Sequence, residues 1–183
     1  MKNNILKGSI IAMLIVISLL LISTVASANN DTGSESEVLT LSKGGISITY
    51  PSNWGYSQST SNYSIMSISK LDSIDASGIG QININFEKKP LEGDFNTFLE
   101  DTYKTLQSDS SFELVSSGEV AIGDRVGAEY VYISNQSTIS KEHKAVWFEK
   151  GGQAYVILYS APADQFESNL YVFDYVLSNI EIT

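Results

Sequence analysis

No cysteine occurs anywhere in this 183-residue chain, although its first residues read as an export signal. Together these two facts restrict what can fold here. A domain delivered outside the reducing cytoplasm ordinarily has disulfides within reach. This one must hold itself together by its hydrophobic core alone. About 155 residues follow the signal, enough for a single core of ordinary size.

The signal itself is plain. Lys2 and Lys7 precede a stretch from Gly8 to Asn30 with no charged side chain, and the apolar run Ile10–Ala26 ends in Ala26-Ser27-Ala28. A basic start, an apolar centre and an A-x-A ending make a secretory signal peptide over residues 1–28, with Ala26 and Ala28 marking the cleavage site. The run is longer than the ~7–15 residues of a usual signal core. At about 1.5 Å per residue it reaches roughly 25 Å, close to the ~30 Å of a bilayer core. An uncleaved anchor with its lysines on the inner side is therefore the second reading. Either way the domain is extracytoplasmic, secreted or tethered to the outer face of the cytoplasmic membrane. The absence of cysteine excludes a thioether-linked lipid.

Residues 29–37 are polar, lack any period and read as a spacer, leaving 38–183 as the folded domain. Beyond Lys2 and Lys7 the chain keeps nine basic against 21 acidic side chains, a formal charge of −12. Such a surface repels phosphate backbones and argues against nucleic acid as a partner. Asn30, Asn62 and Asn135 each open an N-x-S/T sequon and are candidate glycosylation sites.

Periodicity then supplies the elements. Ile46, Ile48 and Tyr50 alternate with polar residues, a half-buried strand that Pro51-Ser-Asn-Trp54 ends. A second strand runs from Tyr63 to Ser69. In a third, Ile82, Ile84 and Phe86 face one way and Gln81, Asn83 and Asn85 the other. Phe95, Phe98, Leu99, Tyr103 and Leu106 follow helical spacing, with Asp94 placed to cap the first turn. Strands resume over Phe112–Ile122, with a bend or bulge expected at Ser117-Gly118. Val126–Ile133 and Ala154–Tyr159 are nearly continuous apolar runs, the pattern of strands covered on both faces. Lys144–Phe148 turns into the latter through Glu149-Lys-Gly-Gly152. A last helix is expected over about Ala163–Ser178, buried along Phe166, Leu170, Phe173 and Leu177, with Pro162 at or just before its first turn. Three strands, a helix, four strands and a helix predict an α+β domain: a mainly antiparallel sheet of six to seven strands flanked by two helices.

This order resembles the PsbP-like family, which includes the extrinsic photosystem II subunit, DcrB-type bacterial envelope proteins and a small Ran-binding nuclear-transport factor. The residues that carry the resemblance are Ile46-Ser-Ile-Thr-Tyr50-Pro-Ser-Asn-Trp54, Gly127-Ala-Glu-Tyr-Val-Tyr132 and Val146-Trp-Phe148. Tyr155-Val-Ile-Leu-Tyr159 and the helix beginning near Ala163 complete the set. The resemblance implies an α/β/α sandwich and a non-enzymatic role in binding or assembly. A plant-type subunit would carry a transit peptide and basic docking residues, neither of which is found here, so no partner or binding residue is carried over.

Catalytic patterns are sparse. His143 is the sole histidine and stands in Lys141-Glu-His-Lys144, expected as an exposed polar residue near a sheet edge. Ser67-Ile-Ser-Lys70 matches S-x-x-K, but in a strand positions three apart face opposite sides, and the S-D-N and K-T-G partners are absent. No catalytic residue is assigned. One histidine and no cysteine cannot build an ordinary zinc site. Asp72 and Asp75 are the weak candidates for a calcium loop, lacking the D-x-D-x-D-G pattern; no metal or cofactor is expected. Tyr130, Tyr132, Trp147, Tyr155 and Tyr159 read as core aromatics rather than a ligand groove. Trp54 and Tyr56, just past a strand end, are the candidates for an exposed recognition spot.

The leading expectation is a non-catalytic domain that binds or helps assemble another envelope component, its partner an unidentified envelope protein or small ligand. A solute- or glycan-binding exported module is the alternative, and a hydrolase using His143 or the Ser67/Lys70 pair the third reading.

Overall fold

The computed structural model describes residues 37–57, 63–76, 80–135 and 139–183. The expected signal or anchor (with Ala26 and Ala28), the spacer up to residue 36, and the sequons at Asn30 and Asn62 lie outside the described residues. Among those described, no helix is long and apolar enough to cross a membrane.

Among the described residues, ten strands and two α-helices follow one another as β1 (Val38–Lys43), β2 (Ile46–Pro51), β3 (Trp54–Ser57), β4 (Ser64–Lys70), β5 (Asn83–Pro90), α1 (Phe95–Leu106), β6 (Phe112–Ile122), β7 (Arg125–Ser134), β8 (Lys141–Lys150), β9 (Gln153–Pro162), α2 (Phe166–Ser178) and β10 (Glu181–Ile182). Seven of the strands form one sheet in the order β3-β4-β5-β9-β8-β7-β6, and β1-β2-β10 form a second. Every pairing is antiparallel.

Strand alternation sorts the core into two layers. Val146 and Phe148 of β8 and Tyr155, Ile157 and Tyr159 of β9 join Ile46 and Ile48 of β2 and Phe173 and Val176 of α2 on one face. Ala145, Trp147, Val156 and Leu158 meet Leu99 and Tyr103 of α1 on the other. The large sheet is thus sandwiched between α1 and a layer made of α2 with the small sheet, the α+β architecture that the sequence predicts. The small sheet, however, was not foreseen. β1 shows little alternation, with Val38 and Leu39 both exposed, and β10 is too short to carry a period.

The first helix forms as its spacing demands. Asp94 accepts a hydrogen bond from the Thr97 amide at 3.0 Å, satisfying one of the free donors of the first turn. Asp94→Ala is expected to cost about 1 kcal/mol, measurable as a lowered urea midpoint; an unchanged midpoint would show that the cap is not needed.

Three local expectations are corrected. The bulge in β6 falls between Leu114 and Ser116, with exposed Val115 as the extra residue, while Gly118 keeps regular pairing with Glu129. β7 is not covered on both faces: Val126 is 66% exposed, because it lies on the α1 face of the strand beyond Ala128, Tyr130 and Tyr132, the β7 residues that pack into the α1 cluster. β9, between β5 and β8 in the sheet's interior, is buried along nearly its whole length. Finally, α2 begins at Phe166 rather than near Ala163. Pro162 ends β9, its carbonyl accepting from the Gln165 amide at 2.8 Å in the intervening turn.

Candidate functional site

A cleft of about 410 Å³ opens where the two sheets meet, at the end that holds the β1–β2 hairpin and the β8–β9 hairpin. Its floor depends on an irregularity. The β4–β5 register shifts between Ser64 and Met66, and both Ile65 and Met66 join the same core cluster. The extra residue turns Ile65 toward the hairpin instead of the opposite face. Gly44, at φ 61°, sits directly above it. A Cβ at Gly44 would stand 2.8 Å from Ile65 Cγ2, so glycine both allows the left-handed turn and lets the hairpin close down.

Lysine side chains line the cleft without a carboxylate among its lining residues. Lys43 ends β1, and its Nζ lies 3.5 Å from the Tyr56 hydroxyl. Lys88 shares the β5 face of Phe86, with Nζ 6.0 Å from the centre of the Tyr155 ring. Neither ammonium enters an ion pair among the described residues. Tyr63, 41% exposed, Ser64, whose hydroxyl donates to Asn85 Oδ1 at 3.2 Å, and Gln153 complete the polar lining. Lys89 borders the cleft by position, but strand alternation sends its side chain to the other face, where Nζ lies 4.4 Å from the Phe98 ring centre. Burial lowers its pKa, partly opposed by Glu87.

A second polar feature lies inside the α1 side of the sheet. Asn85 and Glu87 are 6% and 2% exposed, so the polar face of β5, which the alternation suggests is solvent-facing, is buried. The Asn85 side-chain amide donates to Glu87 Oε1 at 2.5 Å. Burial pushes the Glu87 carboxyl up to about 7, against the opposing pull of that hydrogen bond and of Lys89. Two strands away His143 is also buried, not exposed as expected, because β7 and β9 flank its strand on both sides. Its Nδ1 is 2.8 Å from Ser160 Oγ, and its ring stacks on Tyr132 at 4.8 Å. Burial, helped by Lys141, depresses the imidazole to about 3. It is neutral at physiological pH and too weak a base to activate a hydroxyl efficiently there.

The other expected site residues are scattered. Trp54 is 1% exposed and belongs to the core, which corrects its expected place at the surface; the backbone after Pro51 re-enters a strand and pairs it with Lys70. Tyr56 is half-buried against that core and touches the cleft only through Lys43. Ser67 is buried opposite Asn85, whereas Lys70 pairs with Asp72 at 3.3 Å, so the S-x-x-K residues do not meet. Asp75 accepts from the Gln81 side chain at 2.7 Å, and no cluster of three or more metal-ligating side chains occurs among the described residues. Asn135, just past β7, is exposed. Tyr132, Trp147, Tyr155 and Tyr159 are core, as expected.

Sequence reasoning missed Lys43, Lys88 and Glu87. The Lys88-Lys89 pair closing the clearest alternating strand was a visible signal for the second. The others depend on strand pairing across distant segments.

No family model matches the sequence, and no curated protein matches it. Solved structures do resemble the fold. The solution structure of cyanobacterial PsbP (CyanoP) from Synechocystis sp. PCC 6803 aligns over 84% of this chain and 98% of its own, with a TM-score of 0.54 and 13% identity. The crystal structure of LpqN, involved in cell envelope biogenesis of Mycobacterium tuberculosis, aligns over 80% and 91%, with a TM-score of 0.58 and 14% identity. The chain therefore has a PsbP-like fold.

Proposed function

We propose that this chain is a non-catalytic, extracytoplasmic PsbP-like domain that binds or helps assemble another component of the cell envelope. The observation that carries this reading is the cleft: a formed concavity with ammonium, phenol and amide groups, in which the lining hydroxyl of Ser64 donates to the Asn85 amide oxygen rather than to a base. The Ser160–His143 pair is buried in the sheet, and its imidazole is a poor base near neutrality. The export signal at the N-terminus supports the compartment. The likeness to LpqN, named for cell envelope biogenesis, agrees with that setting.

The test is site-specific photocrosslinking from position 63 of the full-length chain in its native membrane. Tyr63 lines the cleft and is exposed, so an adduct with an envelope component is expected there. Absence of any adduct would overturn the reading. So would hydrolytic turnover that is lost in His143→Ala while the fold is retained.

A further inference from the structure

We propose that the Lys43–Lys88 cleft recognises the anionic group, a phosphate or carboxylate, of a small organic ligand. This deepens the binding reading above and rests on it.

The first observation is charge placed against the trend of the molecule. The chain carries a formal net charge of −10, yet the described lining of this cleft contains lysines and no acid. Among the described residues, most other basic side chains have carboxylate company. Lys70 is paired with Asp72, Arg125 with Asp124, and Lys144 with Glu129 and Asp174. Lys89 interacts with Glu87, and Lys141 with Asp75. Lys43 and Lys88 instead meet aromatic groups, a tyrosine hydroxyl and a tyrosine ring face. Those contacts position the side chains without neutralising them.

The second observation is shape. The volume falls near the lower end of the about 300–1,000 Å³ typical of small-molecule sites. Ile65 and Pro90 give the cleft an apolar wall, Tyr63 adds an aromatic surface, and Gln153 supplies an amide able to donate or accept. A ligand suited to this lining has one charged end and a compact uncharged body. Lysine ammonium acts as a point charge and accepts phosphate or carboxylate alike, without the bidentate geometry of arginine.

The third is the surrounding field. An extended polyanion would meet the acidic surface as soon as it left the cleft, whereas a ligand with one anionic group would not. Local attraction inside general repulsion favours the small ligand. Such a group could be sugar-borne or belong to a lipid headgroup, and the same two ammonium groups would hold either.

Calorimetric titration of the full-length chain in non-ionic micelles tests this. The probes are glucose 6-phosphate, glucuronate, sn-glycerol 3-phosphate and, as the uncharged control, glucose. At least one anion is expected to bind with glucose silent, and added salt should weaken that binding. Binding by the sugar acids alone assigns a sugar-borne ligand; binding by glycerol phosphate alone assigns a headgroup. The double variant Lys43→Gln/Lys88→Gln should lose at least tenfold in affinity. Lys89→Gln, whose ammonium lies on the other face, should bind as before. If the double variant fails to fold, either single variant carries the same comparison. Silence with all three anions, equal binding of glucose, or full affinity in the folded lysine variants would overturn the inference. Crosslinking at position 63 distinguishes the levels of failure. Its persistence without anion binding removes only the ligand class, whereas its loss removes the binding reading as well.

Discussion

Glu87→Gln is expected to stabilise the domain by on the order of 3 kcal/mol above about pH 7, and to change how stability varies with pH. The carboxyl has an ordinary value of 4.5 and is raised to about 7 in the fold. Between those values the folded state holds a proton that the unfolded state has released, so stability falls as pH rises. Each unit corresponds to about 1.4 kcal/mol. His143 works in the opposite sense. Its ordinary value of 6.5 is depressed to about 3, so the unfolded state holds the extra proton between them and stability falls as pH drops. The windows overlap from 4.5 to 6.5, where the two slopes oppose each other and their sum is nearly flat.

Removing one group exposes the other. With glutamine at position 87, which can still accept the Asn85 hydrogen bond, stability should rise with pH across the overlap by roughly 3 kcal/mol. With glutamine at position 143 it should fall across the same range by a similar amount. Urea unfolding at about pH 4.5, 5.5, 6.5 and 7.5 reads both slopes directly. Profiles of both variants running parallel to the parent would show that neither group is perturbed as described.

Truncation of Trp147 should have the largest effect of any single change on the α1 side. The side chain is 1% exposed, packs edge-on to Phe98 at 5.7 Å and donates from Nε1 to the Tyr103 hydroxyl at 2.9 Å. Both partners lie on α1, so this indole ties the helix to the centre of the sheet. Trp147→Ala is expected to cost about 3–5 kcal/mol, a large share of the ~5–15 kcal/mol that holds a typical domain together. Trp147→Phe retains much of the apolar contact but leaves the buried Tyr103 hydroxyl without its donor, for about 1–3 kcal/mol. Hydrogen exchange should locate the damage: α1 amides lose protection ahead of α2, which packs on the other face. Equal loss in both helices, or a stability change below about 1 kcal/mol in the alanine variant, would contradict this account.

What could be foreseen from the residues follows a physical division. Period and capping are local, so Ile46–Tyr50, the Asp94-capped helix and the glycine turn before β9 were legible. Burial is decided by what lands on a strand from elsewhere. Alternation around Asn85 gave the two faces of β5 correctly, yet nothing local tells that the polar face is also covered. Trp54 misled for a related reason: proline and asparagine before it signal a turn, and that turn returns at once into a strand whose tryptophan fills the core. The cleft was invisible because its walls come from residues 43, 63, 88 and 153, brought together by pairing within the large sheet and by the small sheet packing on the bulge at Ile65.

The β1–β2 hairpin also fixes how the cleft is presented. Val38 pairs with Pro51 at one end of the hairpin, and Lys43 pairs with Ile46 at the other. The five steps from Val38 to Lys43, at about 3.3 Å each, separate the start of β1 from the cleft by roughly 17 Å. A domain held by its N-terminal side therefore offers the cleft on its far end, reaching away from the point of attachment. The Thr183 amide donates to the Gly45 carbonyl at 2.8 Å, so the segment after β10 reaches the same hairpin tip. A bulky group introduced at Thr183 would stand near the cleft, whereas one introduced at Val38 would leave it clear.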